Sequence, residues 1–354
     1  MPKVVFTTGG TGGHIFPALA TAMALKKEVS AVELLFLGTT HGPEGKLAKS
    51  CGIPFQGLDV QGFLGRGLRS VKASLKMVKA IFEARSILKD FKPDGVAGFG
   101  SYAAFAPILA AQLSGIPTVL HEQNALAGMS NRFLGALAKR ICLSMPKTSG
   151  VNLKKCVLTG NPVRQVFLDL PKPAEPISRS HLLVMGGSQG AHALNAFMVE
   201  HLAAFKEARV QIFHQTGEAD FLKVQKAYLE HGFSDSSVAP FVNDMASLYQ
   251  WADLILCRSG ASTVAELLVS GLPAIFVPFP YAIADHQRVN ADGVAKMGAA
   301  YVVLEENLGE NCLNLIFKLL RDPEKLWRMR QRAYEQAKPS AAHDVACVLK
   351  EIFF

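Results

Sequence analysis

Two glycine-rich turns, Gly9-Gly10-Thr11-Gly12-Gly13-His14 and Gly186-Gly187-Ser188-Gln189-Gly190-Ala191, each join a strand-like apolar run to a helix-like stretch. The runs before them are Val4-Val5-Phe6 and Leu182-Leu183-Val184-Met185. Glycine permits a sharp turn and close backbone approach, and the helix N-terminus behind it offers N–H groups to an anion. A third segment, from Cys257 and Arg258 through Ser259-Gly260-Ala261-Ser262-Thr263-Val264-Ala265-Glu266, follows the strand-like Asp253–Leu256 and opens another helix. Its small residues and hydroxyls suit a diphosphate, and Glu266 stands where a carboxylate could accept from ribose hydroxyls. An acidic residue early in a helix also stabilises the dipole, which explains Glu266 equally well.

Two familiar phosphate-binding patterns do not fit. A P-loop ends in Gly-Lys-Ser/Thr, whereas these turns end Gly13-His14-Ile15 and Gly190-Ala191-His192. A dinucleotide fingerprint needs a third glycine where Ile15 stands, and an acidic residue where Leu34-Leu35-Phe36-Leu37 runs into Gly38-Thr39-Thr40. NAD(P) binding and ATP hydrolysis are both disfavoured.

The elements that must position these turns alternate in type. Strand-like Val4–Thr8, helical Pro17–Lys27 and strand-like Leu34–Leu37 precede a glycine-rich loop. Helix Ser70–Asp90, strand Gly95–Gly98, helix Tyr102–Leu113 and strand Thr118–His121 follow. Such alternation predicts an α/β fold with a parallel sheet covered on both faces. Pro162 and the stretch Pro171–Pro176 read as linker, after which Leu182–Met185 starts a second round. Ser114-Gly115-Ile116-Pro117 is echoed by Ser270-Gly271-Leu272-Pro273, each after an apolar helix opened by a small-residue turn. The architecture reads as duplicated, with the two glycine turns lining a cleft beyond the carboxyl ends of the strands.

Composition narrows the partners. A chain of 354 residues, 49% of them hydrophobic, has core enough for two domains. The net charge of +8 favours acidic partners, yet no stretch interleaves basic and aromatic residues, which argues against nucleic acid. Six scattered cysteines without Cys-x-x-Cys spacing read as reduced thiols of a cytosolic protein. No export signal is evident, and the uncharged Tyr102–Leu120 is broken by Pro107 and Gly115-Ile116-Pro117, so it reads as a buried helix and strand.

GGTGGHIFP at 9–17, His121-Glu122-Gln123-Asn124, Gly160-Asn161-Pro162-Val163-Arg164, GGSQGA at 186–191 and RSGASTVAE at 258–266 occur in that order. Val277-Pro278-Phe279-Pro280 and Asp285–Ala291 follow. Together, across essentially the whole chain, they closely resemble the MurG family of peptidoglycan glycosyltransferases. That family moves N-acetylglucosamine from its UDP donor to the undecaprenyl-diphospho-muramyl-pentapeptide lipid (lipid I), giving lipid II. The resemblance implies a GT-B fold, two Rossmann-like doubly wound domains facing a central cleft. Residues 1–163 would form the acceptor and membrane side, 164–340 the UDP-GlcNAc domain, and 341–354 a helix packing back on the first. Two departures stand out: His192, where the family usually has arginine, and Pro43 inside the loop Thr39–Gly45.

Carried residue by residue, the resemblance implies that Ser188 and its turn hold the donor phosphates and Glu266 the ribose. Arg164 and the backbone near Val242 would read the uracil. Ala261, Ser262, Thr263, Val264 and Ala265 would line the nucleotide, and Gln287 would bind sugar hydroxyls. Thr11, Gly12, Gly13 and Asn124 resemble sugar- or acceptor-side contacts. On residue chemistry alone, Arg164 is as well explained by a linker salt bridge, and Gln287 by a solvated loop amide. Inverting transfer needs a base for the acceptor hydroxyl; a near-neutral pKa makes His14 the candidate, with Glu122 the alternative and helix capping the competing role for His14.

No Asp-x-Asp pair adjoins a nucleotide motif, so no tightly bound metal and no cofactor are expected. Arg66, Arg69, Lys72, Lys76, Lys79, Arg85, Lys89 and Lys92 make 64–92 basic, with Leu68, Val71, Leu75, Val78 and Phe82 spaced as a helix core face. An anionic membrane surface would suit that basic face, giving a peripheral protein on the cytoplasmic side of the cell membrane. A related UDP-sugar enzyme such as a 2-epimerase or glycolipid transferase, or a non-catalytic nucleotide-sugar or lipid-carrier binding module, remains as a rival reading.

Overall fold

The computed structural model describes residues 1–60, 69–146, 148–176, 179–187, 189–282 and 285–354, and the side chains of 69–74 are outside that description. Ser188, Arg66 and Leu68, and the side chains of Arg69, Val71 and Lys72, therefore lie outside the described residues. The chain divides into two compact units: Met1–Arg164 with Lys338–Phe354, and Gln165–Ala337. The first unit thus ends one residue later than the expected 163, and the chain returns to it at Lys338 instead of 341.

Unit 1 contains β1 (Lys3–Thr7), α1 (Gly12–Glu28), β2 (Glu33–Thr39), α2 (Glu44–Ser50), β3 (Phe55–Leu58) and α3 (Arg69–Phe91). It continues with β4 (Gly95–Gly98), α4 (Phe105–Leu113), β5 (Thr118–Glu122), α5 (Met129–Leu134), β6 (Arg140–Leu143) and β7 (Cys156–Leu158). All seven strands run parallel in the order β3-β2-β1-β4-β5-β6-β7. The near-continuous apolar strands follow from burial on both faces. Val4 and Phe6 of β1 point into one core with α1, and Val5 into the other with α3 and α4.

Unit 2 repeats the plan after a short helix, α6 (Gln165–Leu168). Its elements are β8 (His181–Met185), α7 (His192–Glu207), β9 (Gln211–Gln215), α8 (Phe221–Glu230), β10 (Val238–Ala239), α9 (Met245–Trp251) and β11 (Leu254–Cys257). Then come α10 (Ala261–Ser270), β12 (Ala274–Phe276), α11 (His286–Lys296), β13 (Ala300–Val302), α12 (Glu310–Leu320) and α13 (Pro323–Gln336). The sheet order β10-β9-β8-β11-β12-β13 matches the first six strands of unit 1, and every pairing is parallel. In each unit the strand order reverses beside the first strand, and there the glycine turn comes out.

The last helix, α14 (Ala341–Phe353), belongs to unit 1 and lies along α1. It contributes Val345, Ala346, Leu349 and Phe353 to the core that α1 shares with β1 and β2. No described helix is long and apolar enough to cross a membrane.

Two local expectations change. Helix α1 starts at Gly12 within the glycine turn, not at Pro17, which lies inside the helix. A proline near a helix start forfeits a single backbone bond, so the turn runs straight into the helix. On α3 the apolar stripe does not face the core: Leu75, Val78 and Phe82 are 67%, 51% and 66% exposed. The core contacts come instead from the smaller Ala80 and Ala84 with Met77 and Leu88.

The docking of α14 makes Gly95 a sensitive position, since a Cβ there would lie 2.1 Å from the Phe353 ring. Gly95→Ala is expected to cost about 1–3 kcal/mol through overpacking, measured by urea denaturation. Equal stability of the variant would show that the helix end shifts without cost.

Candidate functional site

In unit 1 the turn after β1 meets the turn after β4, and the meeting point is the carbonyl of Phe99. His14 Nδ1 lies 3.0 Å from it, Gln123 Nε2 donates to it at 2.9 Å, and Thr8 Oγ1 reaches it at 3.4 Å. A carbonyl only accepts, so Nδ1 of His14 carries the proton and Nε2 is the basic nitrogen of the neutral ring. Gly100 and Ser101 continue the turn with positive φ (75° and 69°), and Ser101 Oγ accepts from Ala103 N to open the next helix. A non-glycine residue there is strained and held by its surroundings.

Glu122, the alternative base, is buried and fully engaged. Its Oε1 accepts from Asn124 N at 3.0 Å and Asn124 Nδ2 at 3.4 Å; its Oε2 accepts from Gly128 N at 3.0 Å and Asn131 Nδ2 at 2.8 Å. These bonds fold the loop that carries Asn124. His121 joins its own motif to the one that begins at Gly160, with Nε2 3.1 Å from the Gly160 carbonyl and its ring stacked on Phe99 at 5.3 Å. Burial pushes its pKa down to about 4, against the raising effect of the Gly160 carbonyl, with the charge of His14 lowering it further. Arg164, expected to read the uracil, belongs to unit 1, where its guanidinium lies 4.2 Å from the Phe16 ring on α1.

Thr11 immediately precedes α1 without a capping bond from its side chain, while Gly12 and Gly13 form the first turn beside His14. Beneath them, Glu44 is fully buried and its Oε1 accepts from both N and Oγ1 of Thr39 at 2.6 Å. A Cβ on Gly9, Gly38 or Gly42 would lie within 3 Å of this side chain, so the three glycines wrap a buried carboxylate. Pro43 fits without disturbance as the residue preceding α2, where no N–H is needed.

In unit 2 the residues of the other two motifs converge at the corresponding place. Ser259, Gly260 and the start of α10 follow β11, and Gln287 from α11 reaches back to them. Gln287 Oε1 accepts from Ser259 N at 3.3 Å and Phe279 N at 3.1 Å, while Ser259 Oγ donates to the Gln287 carbonyl at 2.8 Å. With the oxygen so engaged, the Nε2 amide is the group Gln287 can offer a sugar hydroxyl. Arg258 is structural: Nη1 donates to the carbonyls of Val277 and Pro278, and Nη2 pairs with Glu305. Glu266, 9% exposed, lies in the second turn of α10 beyond Ala261, Ser262, Thr263 and Ala265. The side chain of Val264 is buried, so that residue offers only its backbone.

Residues flanking Ser188 show how the second glycine turn is held. Gly190 and Gly217 meet back to back with positive φ; a Cβ on Gly190 would lie 2.2 Å from the Thr216 carbonyl. Gln215 Nε2 donates to Gly187 O at 3.1 Å and Pro240 O at 3.0 Å, joining this turn to the loop that carries Val242. His192, the departure after the turn, pairs with Asp220 at 3.0 Å. Asp220 is held below the usual carboxylate range by its Asn195 hydrogen bond first and then by His192. Sequence reasoning missed Gln215, Glu44 and the Phe99 carbonyl; Gln123 was seen only as part of a motif.

Residues 4–143 match the glycosyltransferase family 28 N-terminal domain, and residues 181–345 match the family 28 C-terminal domain. A crystal structure of Acinetobacter baumannii MurG aligns with a TM-score of 0.76 at 35% identity, covering 99% of this chain and all of that one. Two Rossmann-like units with phosphate-type turns at their switch points, in this family, define a GT-B glycosyltransferase. A Lawsonia intracellularis UDP-N-acetylglucosamine–N-acetylmuramyl-(pentapeptide) pyrophosphoryl-undecaprenol N-acetylglucosamine transferase is 45% identical over 356 residues, covering 99% of this chain and 96% of the relative. The chain belongs to that transferase family, the MurG family. A UDP-GlcNAc 2-epimerase from Neisseria meningitidis shares the fold (TM-score 0.69) at only 15% identity.

Neutral His121 makes a pH-dependent contribution to stability. Its folded value lies below the ordinary 6.5, so the contribution is complete above pH 6.5 and is lost as the pH falls toward about 4. His214 in unit 2, buried and pushed down to about 3, acts in the same direction. Urea titrations between pH 7 and pH 4 should show falling stability, with a shallower fall in His121→Gln. An unchanged slope in that variant would remove His121 from this linkage.

Proposed function

We propose that the chain is an inverting transferase that moves N-acetylglucosamine from UDP-N-acetylglucosamine to undecaprenyl-diphospho-muramyl-pentapeptide, producing lipid II. The observation that carries the chemical step is the Phe99 carbonyl, which fixes the His14 tautomer so that Nε2 takes the acceptor hydroxyl proton. The hydroxyl oxygen attacks the anomeric carbon, the bond to UDP breaks, and the diphosphate leaves with the electron pair. Glu122 acts through the loop it folds, since its carboxylate oxygens are already engaged. In unit 2, Ser188, the α10 N-terminus with Ser262 and Thr263, and Glu266 hold the diphosphate and ribose, Val242 borders the uracil, and Gln287 reads the sugar. The 2-epimerase shares the fold alone, and sequence similarity favours transfer over a binding module.

The acceptor is an anionic lipid, and unit 1 carries an apolar surface suited to reaching it. Leu75, Val78 and Phe82 on α3 share a helical layer with Met129, Phe133 and Leu137 on or after α5, all 51–67% exposed. Lys76 and Lys79 on α3 are paired with Asp59 and Glu83, so apolar insertion contributes beside charge. This surface fits a peripheral enzyme on the cytoplasmic face of the membrane.

Two variants separate the roles of the two units. His14→Ala should lower kcat by about 10²–10⁴ with donor affinity preserved. Glu266→Ala should weaken UDP-GlcNAc binding by about 1–3 kcal/mol. Assays of UDP release with a lipid I analogue, alongside calorimetric donor titration, read both. A His14→Ala rate within a few-fold of wild type would exclude the base, and unchanged donor affinity would remove Glu266. Epimerised donor without acceptor, or binding without turnover, would overturn transfer itself.

The lipid-facing reading has its own test. Leu75→Gln with Phe82→Gln should lower partition into anionic vesicles at least tenfold, each exposed side chain contributing about 1.5–3 kcal/mol when buried. Donor affinity should not change. Added salt should weaken only the electrostatic part. Wild-type partition in the double variant would leave this stripe without a membrane role.

A further inference from the structure

At the far end of α1, the C-terminal helix brings three metal-ligand types together. His343 and Cys347 lie one turn apart on α14, and Glu28 is the last residue of α1. His343 Nδ1 is 3.1 Å from Glu28 Oε1, and Cys347 Sγ is 3.5 Å from His343 Nε2. One ligand atom from each residue lies within 4.8 Å of the others, the only such group among the described residues. We propose that Glu28, His343 and Cys347 form a zinc site that staples α14 to α1.

The geometry is close to what the metal requires. Zinc bonds of about 2.0–2.3 Å in a tetrahedron place ligand atoms roughly 3.3–3.8 Å apart, so a contraction of about 1 Å and a turn of the imidazole complete three corners. Water takes the fourth. A thiolate, an imidazole and a carboxylate together form a donor set that zinc accepts readily. The partial exposure of His343 and Glu28 leaves an entry path.

The same three groups in a row resemble an activated thiol, but activation requires a lowered thiol pKa. That of Cys347 is raised, by burial first and then by the charges of Glu28 and Asp344, with Lys350 opposing. On binding, the thiol proton passes to solvent and sulfur forms the bond to zinc.

The site lies about 21 Å along α1 from His14, counting fourteen residues at the helical rise. It is structural and separate from the transfer chemistry, for which no metal is expected. Because α14 completes the core around β1 and β2, zinc would stabilise unit 1 by mass action.

Full-length protein stripped of metal by a chelator and kept reduced provides the test. Zinc titrated against a chromophoric competitor should bind at one tight equivalent and raise Tm. Cobalt in its place should give a thiolate charge-transfer band. Cys347→Ser should abolish the band and, like His343→Ala, weaken zinc by at least roughly 10–100-fold. Cys51→Ser and Cys156→Ser, at the other partly exposed thiols, should leave the band and the affinity intact. Donor binding by each variant confirms that it is folded. Absence of the band in wild-type protein, its survival in Cys347→Ser, or unchanged zinc affinity in both ligand variants would overturn the site.

Discussion

The carbonyl of Phe99 gathers His14, Gln123 and Thr8, while the Phe99 ring stacks between Phe6 and His121 and its N–H donates to Thr7. A single buried residue thereby ties the first strand, the fourth strand and the loop after the fifth. The histidine tautomer follows from this arrangement: a lone-pair acceptor at Nδ1 leaves the basic lone pair at Nε2. If the β4 turn moved, the histidine would lose both its orientation and its proton assignment. The two positive-φ residues after Phe99 are the local strain that this convergence holds in place.

Unit 2 solves the same positional problem with a side chain. There the Gln287 amide oxygen gathers the N–H groups of Ser259 and Phe279, and Asn290 donates to the Ser259 carbonyl. In unit 1 the Phe99 carbonyl pins the turns after β1 and β4, whereas in unit 2 the Gln287 oxygen pins the turn after β11 to the loop after β12, and Gln215 holds the turn after β8. Duplicated topology has therefore been kept while the pinning atom changed from main chain to side chain.

Much of this was legible in the sequence because strands buried on both faces read as unbroken apolar runs, and glycine turns mark where they end. The order of elements and the family relationship followed from those features and the spaced motifs. The start of α1 did not, because Pro17 is a common first helical residue and the preceding glycines look like loop. The α3 stripe was misread for a physical reason: Leu75, Val78 and Phe82 repeat at helical spacing whether they meet protein or solvent. Small residues on the opposite face, Ala80 and Ala84, carry the packing and give a weak hydropathy signal. The Phe99 carbonyl, the buried Glu44 and the Gln215 bridge depend on backbone geometry that no residue pattern encodes.

The return of α14 to unit 1 makes that unit discontinuous in the chain. During synthesis, residues 1–164 leave the ribosome long before Val345, Leu349 and Phe353, which fill the core between α1 and the sheet. Unit 2, by contrast, is one unbroken segment and has all its core residues once Ala337 has emerged. The half made first is therefore completed last, and until then it exposes an apolar strip along α1 that α14 will cover. Nascent chains truncated before residue 338 would be the species most in need of a chaperone.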